Sequence, residues 1–505
     1  MIEKFSIKRT NLTQIGFEVE PDPLRLYTEF KGSENGFLLE SADRLGEYGR
    51  FSLIGINPIL ELKSTGRMVE ISSEFGTDTK EDNPFDVIQN ILGSVIKEDT
   101  DLPFAYGGLA GWIGYDAVRH IEKVIDTNEG TGEVHDIHLM LPKHLIIIDR
   151  EIKVVHALTF TFSEDKKECS SSHSQSHEQI HSRLVNFLKQ CEQAGHKPTN
   201  EAGLVAEPHT QTPEELAKEW SSPTSFETFI KGVHAAKEHI KKGDAFQLVF
   251  SRRLTKKTEI TPVDLYRQLR RLNPSPYMFM ISTSEADVVG ASPETMVHMK
   301  NQTAVVHPIA GTKPRGKTQE EDQKNETDLL GDIKENAEHL MLVDLARNDI
   351  GRISEYGSVD VPKFRTIERF SHVMHIVSEV TGKVKSDLDT IDVFKACFPA
   401  GTVSGAPKIK AMSLIDENEP VRRGIYAGAV GWFGTNNEMD TCIAIRTAVM
   451  KGNEVHVQAG GGLVQDSQPK MEFMETLHKS ASIMRAVQLA ELEKKEGSRH
   501  DSSHR

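Results

Sequence analysis

The chain has 505 residues, of which 37% are hydrophobic, and its formal net charge is −15. This length allows two or three domains with an ample core, and the charge argues against nucleic acid or an anionic membrane as a general partner. The four cysteines have neither metal-site spacing nor a disulfide pattern, and no apolar run is long enough to serve as a signal peptide or to span a membrane. We therefore expect a cytoplasmic protein.

Three segments follow in chain order. Residues 1–162 alternate strand-like runs such as FSLIGI with turn signals and predict an N-terminal domain. Residues 163–222 are rich in Ser, His and Gln, and we expect a linker or insertion with solvated histidines and at most one short helix. Residues 223–493 form a denser domain, and residues 494–505 are expected to be a disordered tail. The denser domain is predicted to contain helices at 226–242, 261–272, 326–347, 388–396, 407–417 and 470–493.

One stretch of the third segment has the spacing of a phosphate-binding P-loop, from Gly311 to Lys317 and Thr318. Such a loop needs successive backbone N–H groups and a following helix with an apolar stripe. Pro314 removes one of these N–H groups, and residues 317–328 contain no apolar side chain with which a helix could dock. We therefore expect a solvated loop here rather than a nucleotide site.

Two predicted helices each carry carboxylates at intervals of three residues beside an apolar stripe. The first has Asp332, Glu335 and Glu338 beside Ile333, Ala337, Leu340 and Met341; the second has Glu472 and Glu475 beside Met474, Leu477, Ala481 and Met484. Spacing alone leaves two interpretations open. The carboxylates are either solvated helix faces or a shared Mg²⁺ site that takes its remaining ligands from water and an anionic substrate.

Two further features have both a structural and a functional interpretation. Three consecutive glycines, Gly460 to Gly462, end a strand-like run, where they form a tight turn or let backbone approach a ligand. Arg446 follows the apolar run DTCIAI, and an arginine there is costly to bury unless a carboxylate pairs with it. The residue pattern does not choose between these interpretations.

A set of motifs follows in order from about residue 20 to 490, with only the linker unmatched. They are LLESADRLGEYGRFSLIG, DAFQLVFSRR, NPSPYMFM, GASPE, PIAGTKPRG, AEHLMLVDLARND, SHVMH, FPAGTVSGAPK, YAGAVGWFG, CIAIRTAV and QAGGGLVQDSQPKMEFMET. Together they resemble anthranilate synthase component I, a family of chorismate-utilising enzymes. The resemblance implies an α+β fold of two intertwined domains, with packed, largely antiparallel sheets flanked by helices and an active site in the C-terminal portion.

The resemblance also implies a reaction, in which ammonia adds to chorismate as a ring hydroxyl leaves and pyruvate is then eliminated to give anthranilate. This is the carbon–oxygen lyase step that begins tryptophan biosynthesis. The implied roles are a protonated general acid at Glu294, ring contacts from His375 with support from Thr402, Mg²⁺ ligands at Glu338 and Glu475 with Glu335 and Glu472 nearby, and substrate binding by Gly311, Thr312, Tyr426, Arg446, Gly460, Gly461 and Gly462. Lys408 is either a further substrate contact or a surface residue.

Two positions help to choose among relatives that share this scaffold. Isochorismate and salicylate synthases have a water-activating lysine where this chain has Gln247, and a neutral amide cannot serve as that base. Aminodeoxychorismate enzymes typically have a nucleophilic lysine where this chain has Ala310. The resemblance therefore favours anthranilate as the product. Aminodeoxychorismate synthase component I is the alternative enzyme, and a non-catalytic tryptophan-binding regulator is the alternative of another class.

Two partners are implied in the same way. None of the four cysteines lies in a Gly-x-Cys-x-Gly elbow, so the chain needs either free ammonia or a separate glutaminase subunit. The resemblance implies the second, a glutamine amidotransferase subunit (component II) that supplies ammonia. The expected assembly is a heterotetramer with two copies of each chain. The LLES motif matches the family's tryptophan-binding segment, which implies feedback inhibition through Glu40 and Ser41, with Pro276, Tyr277 and Met278 closing the pocket.

Overall fold

A computed structural model describes residues 5–41, 47–95, 107–127, 134–164, 172–194, 211–369 and 373–502. Its strands are β1 (Phe5–Gly16), β2 (Gly36–Glu40), β3 (Phe51–Thr65), β4 (Met68–Ser73), β5 (Gly76–Glu81), β6 (Gly108–Ile113), β7 (Ile137–Asp149), β8 (Val154–Glu164), β9 (Gln247–Lys257), β10 (Tyr277–Ser282), β11 (Asp287–Ser292), β12 (Thr295–Lys300), β13 (Thr303–Val306), β14 (Ile309–Pro314), β15 (Asp360–Arg369), β16 (Val373–Lys383), β17 (Gly405–Ala406), β18 (Ala429–Gly434), β19 (Met439–Ile443), β20 (Thr447–Lys451) and β21 (Glu454–Leu463).

The helices lie outside the strands. They are α1 (Pro23–Lys31), α2 (Pro84–Ser94), α3 (Ser172–Ala194), α4 (Pro213–Ala217), α5 (Phe226–Lys242), α6 (Pro262–Leu272), α7 (Gln319–Gly331), α8 (Ile333–Ile353), α9 (Thr390–Cys397), α10 (Lys408–Asn418) and α11 (Pro469–Ser502), with 3-10 turns at Glu47–Arg50, Tyr115–His120 and Gly401–Val403. No helix of the described ranges is both long and apolar enough to cross a membrane.

All the strand pairs are antiparallel, and they form two layers that share β3 and β7. One layer runs β1-β8-β7-β3-β2-β10-β11-β20-β21-β9, and the other runs β5-β4-β3-β7-β6-β18-β19-β12-β13-β16. N-terminal and C-terminal strands pair directly, because β2 lies beside β10 and β6 beside β18. The predicted α+β fold with intertwined, largely antiparallel sheets is therefore confirmed.

Alternation along the strands separates two cores. Phe37 of β2 and Phe279 of β10 point into the core between the layers, whereas the adjacent Leu38 and Met278 point to the outer face of the first layer. That outer face is covered by helices, including α6, which contributes Tyr266. The buried strands are held from both sides, which fixes the positions of the loops between them.

The segment expected to be a linker contains more structure than its composition predicts. Helix α3 is 23 residues long, and Ile180, Leu184, Phe187 and Leu188 are buried against the outer face of the first layer. These residues recur at helical spacing, and this apolar stripe outweighs the polar composition around it. Residues 165–171 and 195–210 of the segment lie outside the described residues. The expectation of at most one short helix was wrong.

The predicted helix at 326–347 is two helices, separated by Asp332. The Asp332 carboxylate accepts from the backbone N–H groups of Lys334 and Glu335 and so caps α8 immediately after α7 ends. Helix α7 occupies the run expected to be a loop, and its only buried residue is Leu329. Thr318 caps its first turn, where acidic residues favour helix formation without an apolar stripe.

Two further expectations were wrong. In α8, Ile333 is 87% and Leu340 is 47% exposed, so these residues do not form its buried face. The buried residues are instead Leu342, Val343 and others further along the helix, on the side toward which Glu335 and Glu338 are turned. The C-terminal tail was expected to be disordered from residue 494, but α11 continues to Ser502.

Candidate active site

A cavity of about 400 Å³ opens between the C-terminal strands and helices α8 and α11. Residues from distant parts of the sequence line it, and these include most of the predicted site residues. The predicted residues in its wall are Glu294, Gly311, Thr312, Glu338, His375, Thr402, Tyr426, Arg446, Gly460, Gly462 and Glu475. Gly461 lies immediately behind this wall, where an added Cβ would be 2.9 Å from the Glu472 carboxylate.

Glu294 follows β11 and is fixed through its backbone. Its carbonyl accepts a 3.0 Å hydrogen bond from the N–H of Ile443, and its own N–H donates to Ser292 Oγ at 3.3 Å. The side chain faces the cavity but is otherwise enclosed by protein, and this burial raises its pKa to about 7. The Thr402 hydroxyl and the Lys479 ammonium oppose the rise. Glu294 can therefore carry a proton near neutral pH.

Thr402 lies in the 3-10 turn beside Glu294. Its Oγ1 is buried and makes no hydrogen bond of normal geometry to the described residues. Leaving a buried hydroxyl without a partner costs about 1–3 kcal/mol. Because it also lowers the pKa of the Glu294 carboxyl, the hydroxyl can interact both with that carboxyl and with a ligand in the cavity.

His375 is held in a defined orientation by β14. Its Nδ1 donates to the Gly311 carbonyl at 2.9 Å and lies 3.1 Å from Thr312 Oγ1. Burial lowers its pKa and the Arg446 charge lowers it further, while the bond to Gly311 opposes both effects. The ring is therefore neutral at neutral pH, with its proton on Nδ1.

Arg446 adopts an uncommon backbone conformation, with φ of 51°. Its Nη1 donates to the Lys479 carbonyl at 2.6 Å, and no carboxylate of the described residues pairs with its guanidinium. Burial lowers its pKa, which means that the surroundings stabilise this charge poorly. The structural alternative of an Arg–Glu pair is thus absent from the described part of the chain, and an anionic ligand would supply the missing partner.

Two carboxylate pairs face the cavity from α8 and α11. Burial raises the pKa of Glu335, with a further contribution from Glu338, and burial also raises the pKa of Glu472, with a contribution from Glu475. One oxygen of Glu472 is buried without a hydrogen bond to the described residues. Repelling carboxylates with an unsatisfied oxygen are the environment that a divalent cation would relieve.

The four carboxylates do not form a closed metal cage. Within the described ranges no three His, Cys, Asp or Glu side chains are close enough to hold a metal by themselves. Gln247 Nε2 donates to Glu338 Oε1 at 3.0 Å, and Lys479 Nζ lies 2.7 Å from Glu475 Oε1. Such a site suits Mg²⁺, which keeps several waters and commonly takes only one or two protein carboxylates together with substrate oxygens.

The sequence did not point to Lys479 or Gln458, which both line the cavity. Lys479 donates to the Gly460 carbonyl at 2.9 Å and pairs with Glu475 four residues earlier, a spacing that is common on solvated helices. Lys408, considered earlier as a substrate contact, is instead paired with Asp349 at 2.6 Å and does not line the cavity.

A second cavity, of about 110 Å³, lies between the N-terminal and C-terminal strands. Glu40, Ser41, Pro276, Tyr277 and Met278 all contribute to its wall. The remaining wall is largely apolar and includes Phe51, Leu53, Phe279 and Trp432. The predicted tryptophan-binding residues therefore lie together around one space, separate from the first cavity.

The Glu40 carboxylate does not match its predicted role of binding the amino acid. It accepts a 2.6 Å hydrogen bond from the Tyr266 hydroxyl, and Arg270 Nε lies 3.3 Å away, on the outer face of the sheet. Met278 pairs with Glu40 across β2 and β10, and its side chain shares that outer face. Glu40 and Met278 therefore contribute chiefly backbone to the cavity, while Ser41 and Tyr277 lie on the cavity side.

Comparison with known proteins agrees with this geometry. The profile of the family described as chorismate binding enzyme matches residues 35–485. Anthranilate synthase component 1 of Pseudomonas putida is 41% identical over 475 residues, with 93% of each chain covered. The crystal structure of anthranilate synthase component I from Streptococcus pneumoniae superposes with a TM-score of 0.74 at 32% identity, covering 94% of this chain and all of that one.

A more distant structure shares the fold alone. The menaquinone-specific isochorismate synthase MenF of Escherichia coli has a TM-score of 0.67 at 18% identity, with 96% of each chain covered. The family match spans most of the chain and contains both cavities. This protein is therefore an enzyme of the chorismate-binding family, and it groups there with the anthranilate synthase component 1 proteins.

Proposed function

We propose that this chain makes anthranilate and pyruvate from chorismate and ammonia, as the first step of tryptophan biosynthesis. The observation that carries the proposal is a carboxyl group with a pKa of about 7 in the same cavity as a guanidinium without a carboxylate partner among the described residues. Loss of a hydroxyl from a dianionic substrate requires both an acid and an anion-binding cation. The names of the relatives agree with this reaction.

Substrate binding is assigned to the wall around Arg446. The guanidinium would pair with one chorismate carboxylate, with help from the Tyr426 hydroxyl and the backbone of Gly460 to Gly462. A Cβ at Gly460 would lie 2.9 Å from the Tyr426 hydroxyl and only 2.8 Å from the Phe250 carbonyl, so glycine is required for this close packing. Gly311 and Thr312 would line the other side of the ring.

Glu338 and Glu475 would hold Mg²⁺, with Glu335 and Glu472 nearby or bound through water. When bound, the cation would neutralise the second substrate carboxylate and draw electrons from the ring. Within the chain, Gln247 and Lys479 keep the two carboxylates oriented through bonds of 3.0 and 2.7 Å. Their orientation is therefore set before a ligand arrives.

Glu294 would act as the general acid. Its proton passes to the departing ring hydroxyl as the C–O bond breaks, and the hydroxyl leaves as water. Thr402 would hold the departing oxygen, and neutral His375 would contact that side of the ring. The proton lost by the added ammonia balances the one that Glu294 must regain.

The nucleophile follows from two other residues of the wall. Ala310 offers a methyl group where a lysine could attack the ring, and Gln247 offers an amide where a base could activate water. Free ammonia is therefore the nucleophile. We propose that a glutamine amidotransferase subunit supplies it in the cytoplasm, in a complex of two copies of each chain.

The second cavity is assigned to tryptophan as a feedback inhibitor. Its apolar wall fits an indole ring, and the Ser41 hydroxyl would bind the polar end of the amino acid. The cavity is bounded by strands of both halves of the chain, so occupancy would favour one arrangement of these strands. Inhibition follows if that arrangement binds chorismate less well.

One assay tests the proposal. The purified chain is mixed with chorismate, Mg²⁺ and ammonium at about pH 8, where a fraction of the ammonium is free ammonia, and anthranilate fluorescence is followed. Anthranilate that requires both Mg²⁺ and ammonium is expected. Accumulation of 4-amino-4-deoxychorismate would instead select aminodeoxychorismate synthase component I, and no consumption of chorismate would refute the enzyme assignment.

A further inference from the structure

Glu419 and Arg423 form an ion pair that is almost completely removed from solvent, with side-chain exposures of 3% and 2%. Arg423 Nε and Nη2 donate to the two Glu419 oxygens at 2.8 and 2.7 Å. Neither residue lines the catalytic cavity. The mechanism proposed above leaves this pair without a role.

The arginine joins two parts of the cavity wall. Its Nη1 donates to the Val403 carbonyl and its Nη2 to the Val249 carbonyl, both at 2.7 Å. Val403 follows Thr402 in the 3-10 turn, and Val249 lies in β9; both line the cavity. The planar guanidinium fork fixes the distance between this turn and this strand, which a single ammonium could not do.

The glutamate bonds to the same strand two residues further along. Glu419 Oε1 accepts from both the N–H and the hydroxyl of Ser251, at 2.7 and 2.8 Å. Ser251 in turn accepts from Gln458 of the cavity wall at 2.8 Å. In the pairing of β9 with β21, Ser251 lies opposite Gly460 and Val249 opposite Gly462. The pair therefore holds the strand against which the three glycines are aligned.

A third wall element also contacts the arginine. The Arg423 guanidinium lies 5.5 Å from the ring centre of Tyr426 and 4.7 Å from that of Tyr115. Tyr426 is the proposed contact to a substrate carboxylate. One ion pair thus contacts the turn that carries Thr402, the strand behind the glycines and the tyrosine.

From these contacts we infer that Glu419 and Arg423 are positioning residues for the proposed chorismate site. A buried ion pair contributes little to stability relative to apolar residues of similar size, because the cost of removing both charges from water offsets their attraction. What apolar residues cannot reproduce is the set of directed bonds to Val249, Val403 and Ser251. The pair therefore fixes the position of the Val403 turn relative to β9. This inference rests on the function proposed above.

A double substitution tests whether the pair positions the cavity wall or only stabilises the fold. In Glu419→Leu/Arg423→Met both charges are removed, so no unpaired ion remains buried, and the unfolding midpoint should fall only through the lost bonds to Val249, Val403 and Ser251 while the variant stays folded. The kcat/KM for chorismate should fall by about 100-fold, with KM raised through Tyr426 and the glycines and kcat lowered through Thr402. The matched control is Arg50→Met/Asp149→Leu, which removes a bidentate pair outside the catalytic cavity and should leave the KM for chorismate unchanged.

A single substitution keeps the inference testable if the double variant folds poorly. Arg423→Lys preserves the charge but cannot bond to Glu419 and both carbonyls together, so the KM for chorismate should rise at least about fivefold. A folded double variant, or Arg423→Lys, with kcat/KM within about threefold of the parent chain would overturn the inference.

The proposed function and the positioning role can be refuted independently of each other. If the parent chain does not consume chorismate, that function is refuted, and a crystal structure of Arg423→Lys still decides the positioning role. The inference expects the Val403 turn and β9 to separate by about 1 Å, the scale of displacement that costs large factors in rate. Unchanged positions of both would overturn it.

Discussion

Replacing Glu294 with glutamine tests the proposed acid through two opposite effects. The glutamine has nearly the same shape but cannot give a proton, so kcat should fall by about 10²- to 10⁴-fold with little change in the KM for chorismate. The variant should at the same time be more stable than the parent chain. Burial moves the pKa of the carboxyl from 4.5 to about 7, which at about 1.4 kcal/mol per pKa unit corresponds to about 3 kcal/mol.

The sign of the stability effect follows from proton binding. Because the pKa is higher in the folded protein than in the unfolded chain, the folded state binds more protons between about pH 4.5 and 7, and stability from this group falls as pH rises through that window. Above about pH 7 the loss is complete, whereas the glutamine of the variant would never ionise. The variant should therefore gain up to about 3 kcal/mol over the parent chain between about pH 4 and pH 8.

Both effects are measurable on the same two proteins. Urea unfolding at about pH 4 and about pH 8 gives the difference in free energy of unfolding, and anthranilate fluorescence gives kcat. In the parent chain kcat should also decline on the alkaline side as the acid loses its proton. The reasoning is refuted if Glu294→Gln keeps kcat within about tenfold of the parent chain, or if the stability difference between the two proteins does not grow with pH.

Three further substitutions have expected outcomes. Arg446→Gln should raise the KM for chorismate about 100-fold, because a charged partner of the substrate is lost; steady-state kinetics with unchanged KM would contradict this. Glu475→Gln should weaken Mn²⁺ binding, measured by calorimetry without substrate, by at least about tenfold, whereas exposed Glu496→Gln on the same helix should have no effect. Ser41→Ala should weaken tryptophan inhibition about tenfold, the loss expected for one hydrogen bond, and full sensitivity would exclude this hydroxyl from the site.

The carboxylates of α8 show where sequence reasoning was limited. Spacing predicted a helix with Glu335 and Glu338 on one side, but it assigned the buried face to Ile333 and Leu340, which are exposed. Periodicity assumes that apolar residues point inward, and at a substrate cavity the inward side is polar. The error therefore occurred at the part of the helix that faces the cavity.

Much of the organisation could be obtained from the sequence alone. Ordered motifs indicated the family and the residues of both cavities, because a motif records which residue types the site requires at each position. Local patterns also placed most helices of the C-terminal segment. Pro314 argued against a P-loop, but the polar run after it forms helix α7 and not the expected loop. The residue spacing could not decide whether Arg446 is paired or whether Glu294 is protonated.

Those properties depend on contacts between residues far apart in the chain. The pKa of Glu294 rises because the fold buries it, and Arg446 donates to the Lys479 carbonyl of α11 and not to a carboxylate of the described residues. Two other features also depend on long-range contacts. The Glu40 carboxylate accepts a hydrogen bond from Tyr266, and the Arg423 guanidinium joins β9 to the turn that carries Thr402. The order of residues along the chain specifies which chemical groups this enzyme has. Their charge, partners and direction follow from the folded arrangement, because desolvation and hydrogen-bond geometry are set by long-range packing.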